Sequence, residues 1–144
     1  MNVQTMLEKK GGKVVTAPPG MTMLAVSHLL NAERIGALIV SSDGARIEGI
    51  ISERDLARGL AAHGQELPHM HAADLMTREV QTCAPEDDIK LVMSRMTHAR
   101  IRHLPVVAQG KLCGIISIGD VVKNRLEELE METSVLRDYA VARG

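Results

Sequence analysis

Apolar residues in this chain fall into two kinds of pattern, which alternate in the same order in each half of the chain. Residues spaced three or four apart, such as Met23, Val26 and Leu30, predict helices with one buried face, and short unbroken apolar runs predict buried strands. The first half contains an extended run over 14–16, a helix over 22–33, strands over 37–40 and 47–51 joined by a turn at 42–44, and a helix over 52–63. The second half contains an extended run over 80–82, a helix over 88–97, strands over 104–108 and 112–116, and a helix from 119 to about 139. A short helix over 2–9 and a helical turn over 72–77 precede the two halves.

The two halves are related copies of one sequence. Eight residues between Val14 and Val40 recur 66 positions later, and a one-residue deletion then brings the offset to 65. The segment 114–120 repeats the segment 49–55 with five of seven residues identical. Each copy places Gly-Ile-Ile at the end of a strand, a Ser suited to cap the next helix, and an Asp in its first turn. The sequence thus predicts the same polar strand-to-helix corner twice.

The order of the elements and the G-h-h-S-x-x-D ending, where h is apolar, make each half resemble a cystathionine-β-synthase-type (CBS) domain. The pair resembles a stand-alone CBS-pair protein, or Bateman module, over residues 10 to 126. The resemblance implies an α/β fold of two β-α-β-β-α repeats, over 10–66 and 73–126, which pack sheet to sheet with pseudo-two-fold symmetry. A C-terminal helical extension over 127–144 would follow.

Residue chemistry at the two corners suits a nucleotide. A carboxylate can accept hydrogen bonds from ribose hydroxyls, while helix-terminal N–H groups, Ser, Arg and His suit a phosphate. The family binds adenine nucleotides in clefts between its repeats, which implies one cleft with Asp120 on the ribose, Ser117 and His103 near the phosphate, and Thr16, Ala17, Ile35 and Gly36 around the base. The other cleft would hold Asp55, Ser52 and Arg54, with Thr82, Cys83, Ile101 and Arg102. Because Ala37 stands where His103 stands, we expect the Asp120 cleft to bind more tightly.

Three functional hypotheses remain open at the level of sequence. The first is a non-catalytic sensor that binds AMP or ATP and signals to a regulated protein of unknown identity. The second is an NAD(H)-binding variant, since the adenosine half of that dinucleotide would suit the same Asp. The third is a structural or interaction module in which Ser-x-x-Asp only caps helices, although capping does not explain the Gly before each Ser or the basic segments 34–37 and 100–103. The chain shows no G-x-G-x-x-G, no Walker lysine and no nucleophile–base pair, so we expect no enzyme and no required cofactor.

The composition limits the kinds of partner that this protein is expected to bind. With 17 Lys and Arg against 18 Asp and Glu there is no basic field to attract nucleic acid, and no apolar run approaches the ~20 residues that span a bilayer. We therefore expect a cytoplasmic protein with no nucleic-acid or membrane partner and with two buried, reduced cysteines, Cys83 and Cys113. The histidines of segment 63–71 are interpreted as part of a solvated linker rather than a metal site. An apolar seam along the last helix predicts a homodimer; it comprises Val122, Leu126, Leu129 and Leu136.

Overall fold

The computed structural model describes residues 1–11 and 13–143, and it confirms the α/β fold. The elements are α1 (Val3–Lys10), β1 (Thr16–Ala17), α2 (Met23–Glu33), β2 (Ala37–Val40), β3 (Gly49–Ser52), α3 (Glu53–His63), α4 (Ala72–Leu75), α5 (Ile89–Ala99), β4 (His103–Ala108), β5 (Lys111–Ser117) and α6 (Ile118–Arg143). A 3₁₀ turn, Gly64–His69, follows α3. We call β1 to α3 the first repeat, and the second repeat runs from Cys83 through α5, β4 and β5 into the start of α6.

Both repeats use the same strand register. In the first repeat β1 runs parallel to β2, which pairs antiparallel with β3 and places Ala37 opposite Ser52. In the second repeat β4 pairs antiparallel with β5 and places His103 opposite Ser117. The extended run predicted over 80–82 is reduced to one parallel bridge between Cys83 and Val106. The offset of the sequence repeat is therefore also the structural offset.

The helices that follow the first extended run begin and end in the same way in both repeats. Thr22 caps α2 by accepting a hydrogen bond from the backbone of Ala25 at 3.2 Å, and Asp88 caps α5 by accepting one from Lys90 at 2.8 Å. Arg34 and Arg100 end these helices in the left-handed conformation, with φ of 54° and 55°. This conformation favours glycine, so an arginine at either position costs stability.

Each repeat has its own apolar core between its sheet and its helices, and the helix that precedes one repeat completes the core of the other. Val3, Met6 and Leu7 of α1 lie in the second core, whereas Ala72 of α4 lies in the first. Antiparallel bridges, Asn2 with Asp88 and Thr22 with His71, fix these crossed positions. Thus α1 lies under the second repeat although it precedes the first.

The two repeats meet on the sheet faces that their own helices leave uncovered. Strand alternation directs Ala37 and Ile39 away from the helix-side core, yet they are only 4% and 0% exposed. The backbone N–H of Leu112 donates to the carbonyl of Ala45 at 2.9 Å, which joins the second sheet to the loop of the first.

Two further expectations from the sequence are wrong. The turn predicted at 42–44 is part of a longer loop over 41–48, in which the Asp43 carboxylate accepts from the backbone of Ala45 and Arg46 at 2.9 and 2.8 Å. Hydrogen bonds from Arg46 and then Ala45 lower the pKa of Asp43. Cys113 is exposed rather than buried, because it lies near the solvent-facing start of β5.

In the described part of the chain, no helix has the length and apolar character required to cross a bilayer.

Candidate functional site

Both Ser-x-x-Asp corners form helix-capping boxes. The backbone N–H of Ser52 donates to Asp55 Oδ2 at 2.8 Å, and that of Ser117 donates to Asp120 Oδ2 at 2.9 Å. The backbone of Asp120 donates in return to Ser117 Oγ at 3.1 Å. Both Ser-x-x-Asp segments therefore cap their helices, as the structural hypothesis requires. In each carboxylate these bonds end on Oδ2, and Oδ1 accepts from no residue that the structure describes, so one oxygen remains for a ligand.

The glycine before each corner serves packing. A Cβ at Gly49 would lie 2.5 Å from Met76 Sδ, and a Cβ at Gly114 would lie 2.8 Å from Leu7 Cδ2. The crossed helix α1 and the residue after α4 thus pack directly on the strands β5 and β3. Close packing accounts for these glycines, and they no longer favour a ligand over a simple cap.

The Asp120 corner already holds a cation of the same chain. Lys10, in the last turn of α1, lies with Nζ 2.6 Å from Asp120 Oδ2 and also donates to the carbonyl of Ile115 at 2.9 Å. Burial raises the pKa of Asp120, but the hydrogen bonds from Lys10 and Ser117 outweigh it and the pKa lies below its usual value. A cavity of about 380 Å³ adjoins this ion pair, between α1 and α6. Its lining comprises Met6, Lys9, Lys10, Asp120, Lys123, Asn124 and Glu127.

The other corner opens into a cavity of about 300 Å³, which we call the Asp55 cavity. Its walls come from the first repeat, from the segment 77–81 and from the second repeat. It is lined by Gly36, Ile50, Ser52, Glu53, Arg54, Asp55, Arg58, Thr77, Glu79, Val80, Gln81, Arg100, Ile101, Arg102 and His103. Of the side chains predicted for the Asp55 cleft, it brings together Ser52, Arg54, Asp55, Ile101 and Arg102.

His103 and Gly36 lie in the Asp55 cavity, although the sequence reasoning assigned them to the Asp120 cleft. The imidazole crosses from β4 to the first repeat, and a Cβ at Gly36 would lie 3.1 Å from His103 Nε2. Burial and then the nearby Lys10 lower the pKa of His103, while Glu53 and Asp120 oppose this shift. Burial therefore favours the neutral form of His103. His103 also lies opposite Ser117 in the β4–β5 register, and Asp120 acts on its pKa, so this side chain lies between the two corners.

The remaining predicted site residues lie elsewhere. Ala17 and Cys83 are buried in the two cores, and burial, followed by Asp87, raises the pKa of Cys83 to about 12. The carbonyl of Thr82 accepts from Arg95 Nη2 at 2.8 Å, Thr16 is half-buried in β1, and Ile35 packs against the first core. None of these five, nor Ser117, is among the described residues that line the Asp55 cavity.

Sequence reasoning missed Arg58, Glu53 and Glu79, which also line this cavity, and it noted Arg100 only as part of the basic segment 100–103. Arg58 could have been found, since it lies four residues after Arg54 and shares its helix face. Among the residues that the structure describes, no group of three or more His, Cys, Asp or Glu is placed to hold a metal ion.

Comparison with known proteins identifies the family. The sequence model of the CBS domain matches residues 9–62 and again residues 72–127. The chain belongs to the CBS domain family. Its two matched regions make it a CBS pair, consistent with the shared register and the paired corners described above.

Solved and curated relatives support the same conclusion. A CBS-domain protein from Agrobacterium tumefaciens, ATU1752, is 39% identical, covers 87% of this chain and 99% of its own, and superposes with a TM-score of 0.83. The Arabidopsis thaliana protein CBSX3, named as mitochondrial, is 35% identical over 114 residues, which are 76% of this chain and 55% of that protein. This CBS pair therefore matches about half the length of that relative. A third, the CBS pair of protein MJ0100 solved in complex with 5′-methylthioadenosine and S-adenosylmethionine, is 23% identical with a TM-score of 0.77, and covers 89% of this chain and 98% of its own.

Proposed function

We propose that this CBS pair is a non-catalytic regulatory module that binds an adenosine nucleotide, AMP or ATP, in the Asp55 cavity. One observation carries the proposal: a carboxylate with an unengaged oxygen shares a cavity with basic side chains from both repeats. A carboxylate oxygen suits the hydroxyls of a ribose, and the guanidinium groups suit its phosphates. The MJ0100 pair shows that this fold can hold adenosine-containing molecules.

Regulation would follow from the composite wall of the cavity. Arg54 and Asp55 belong to the first repeat, whereas Arg102 and His103 belong to the second. A ligand that touches both groups stabilises the relative position of the repeats in which both contacts are made, and this difference in affinity is the free energy available for signalling. The signal would pass to a regulated protein, and a homodimer formed through α6 would display the responding surface.

Two other functions make different demands on the cavity. In a structural module, Ser52 and Asp55 would only cap α3, as they do in the free protein. In an NAD(H)-binding variant the adenosine half would occupy the Asp55 cavity and the nicotinamide half would extend out of it. All three hypotheses predict the same fold, so ligand binding distinguishes them.

Calorimetric titration of the full chain with ATP, AMP, NADH and GTP in the presence of EDTA tests the proposal. We expect saturable binding of ATP and AMP that survives chelation, because arginines and not a metal contact the phosphate, and binding of GTP at least tenfold weaker. NADH as the tightest ligand would favour the dinucleotide variant. The absence of binding by all four would leave the module with a structural role and refute the proposal.

A further inference from the structure

Four arginines line the Asp55 cavity. Arg54 and Arg58 lie on α3, and Arg100 and Arg102 lie between α5 and β4. In residues 1–11 and 13–143, none of these four guanidinium groups forms a hydrogen bond or an ion pair, in contrast to Arg95 and Arg125, which have carboxylate partners.

The unpaired state of these arginines is informative because acceptors are nearby. Glu53, Asp55 and Glu79 line the same cavity, yet no arginine approaches any of them within ion-pair distance. Four cations near one another repel, and pairing with these carboxylates would relieve that repulsion. The chain instead leaves the planar donor groups available for an external anion.

The fold does not require two of these arginines, Arg54 and Arg102. At the positions related by the sequence repeat, Gly119 corresponds to Arg54, Gly36 to Arg102 and Ala37 to His103. The other repeat forms the same corner and the same register without these three side chains. The Asp120 cavity has cations of its own, Lys9, Lys10 and Lys123, but Lys10 is paired there with Asp120.

We propose that the Asp55 cavity selects nucleotides that carry a chain of phosphates, with the arginines of both repeats binding the phosphates beyond the first. This inference rests on the proposed function and specifies its ligand class as nucleoside polyphosphates. A guanidinium binds phosphate oxygens in a bidentate contact, and a chain of phosphates presents more oxygens to four such groups than one phosphate does. The same cations disfavour a positively charged nucleoside such as S-adenosylmethionine.

Binding of a polyphosphate would also couple the two repeats. Arg58 belongs to the first repeat and Arg100 to the second, so a chain of phosphates between them bridges the interface. The phosphate count would then set how strongly the ligand fixes the position of one repeat against the other.

The test is calorimetric titration of the full chain with AMP, ADP, ATP and inorganic tripolyphosphate in EDTA. We expect affinity to rise from AMP to ADP to ATP, with ATP at least tenfold tighter than AMP and more sensitive to salt. Tripolyphosphate should bind, but more weakly than ATP. AMP binding as tightly as ATP would overturn the inference while leaving nucleotide binding intact. Tripolyphosphate binding as tightly as ATP would support the arginine site, but it would contradict the proposal that the cavity also recognises the adenosine group.

A pair of matched variants identifies the arginines responsible. Arg100→Gly and Arg34→Gly each remove an arginine that ends a helix in the left-handed conformation, but only Arg100 lines the cavity. We expect Arg100→Gly, alone or with Arg58→Ala, to bring the affinity for ATP towards that for AMP while AMP binding changes less than threefold. Arg34→Gly should leave the ratio unchanged. Equal weakening of AMP and ATP by Arg100→Gly would contradict the inference, as would an unchanged ratio in the double variant.

Discussion

At the scale of single residues, the environment of a side chain matters more than its type. Asp55 and Asp120 are equivalent in the sequence and cap their helices in the same way, but Lys10 pairs with Asp120, while Asp55 shares its cavity with arginines of both repeats. The sequence predicted both carboxylates. It could not predict the Lys10 contact, since that depends on the helix α1 packing beneath a repeat more than a hundred residues away.

His103 gives a prediction for pH. Burial and then Lys10 depress its pKa in the folded state, while Glu53 and Asp120 oppose this shift, so the unfolded chain binds a proton there more readily. The contribution of neutral His103 to stability is therefore present above its unfolded pKa of about 6.5 and is lost as the pH falls below that value towards the folded pKa. In urea denaturation, wild type should lose more stability between pH 7.5 and 5.5 than His103→Gln does. An equal loss in both proteins would contradict the placement of His103 against Gly36.

At the scale of elements, the sequence repeat predicted the helices and the central strands well. Strand β2 has the predicted bounds, and Thr22 and Asp88 cap helices that begin where the apolar spacing begins. Local propensity and amphipathic pattern decide these elements, so one sequence suffices. The sequence also predicted a first strand for the second repeat, where the structure has only a single bridge between Cys83 and Val106.

The last helix carries a prediction about assembly. Along α6, Val122, Leu126, Leu129 and Leu136 are between 43% and 67% exposed. An apolar stripe on a long helix favours a protein partner, and a second copy of the same helix fits a seam of heptad spacing. We expect light scattering to show a dimer at micromolar concentration, and the double variant Leu126→Glu, Leu129→Glu to dissociate it.

The control for assembly is Leu60→Glu on α3, which changes an equally exposed leucine outside this seam. This variant should remain dimeric. A well-folded wild-type monomer at the same concentration would show that the seam is not an interface between copies.

At the scale of the whole molecule, the two repeats are alike in their cores and different in their clefts. The repeat in the sequence predicted the paired cores, since the same apolar positions recur at a constant offset. The sequence could not predict that His103 and four arginines line the same cavity, because their positions depend on how the two repeats face one another. The sequence therefore predicted the residue types of the candidate site but not which side chains line the Asp55 cavity.

The central claim is that an adenosine nucleotide binds at Asp55, and calorimetric titration of ATP into three aspartate variants tests it most directly. Asp55→Ala, Asp120→Ala and Asp74→Ala each remove the acid of a capping box, but only Asp55 lines the arginine-rich cavity. Loss of a charged acceptor for the ribose should cost Asp55→Ala about 1.5–3 kcal/mol of binding free energy, at least tenfold in Kd. Asp120→Ala should weaken binding less than threefold and Asp74→Ala should leave it unchanged. A loss in Asp120→Ala that equals or exceeds the loss in Asp55→Ala would contradict the account.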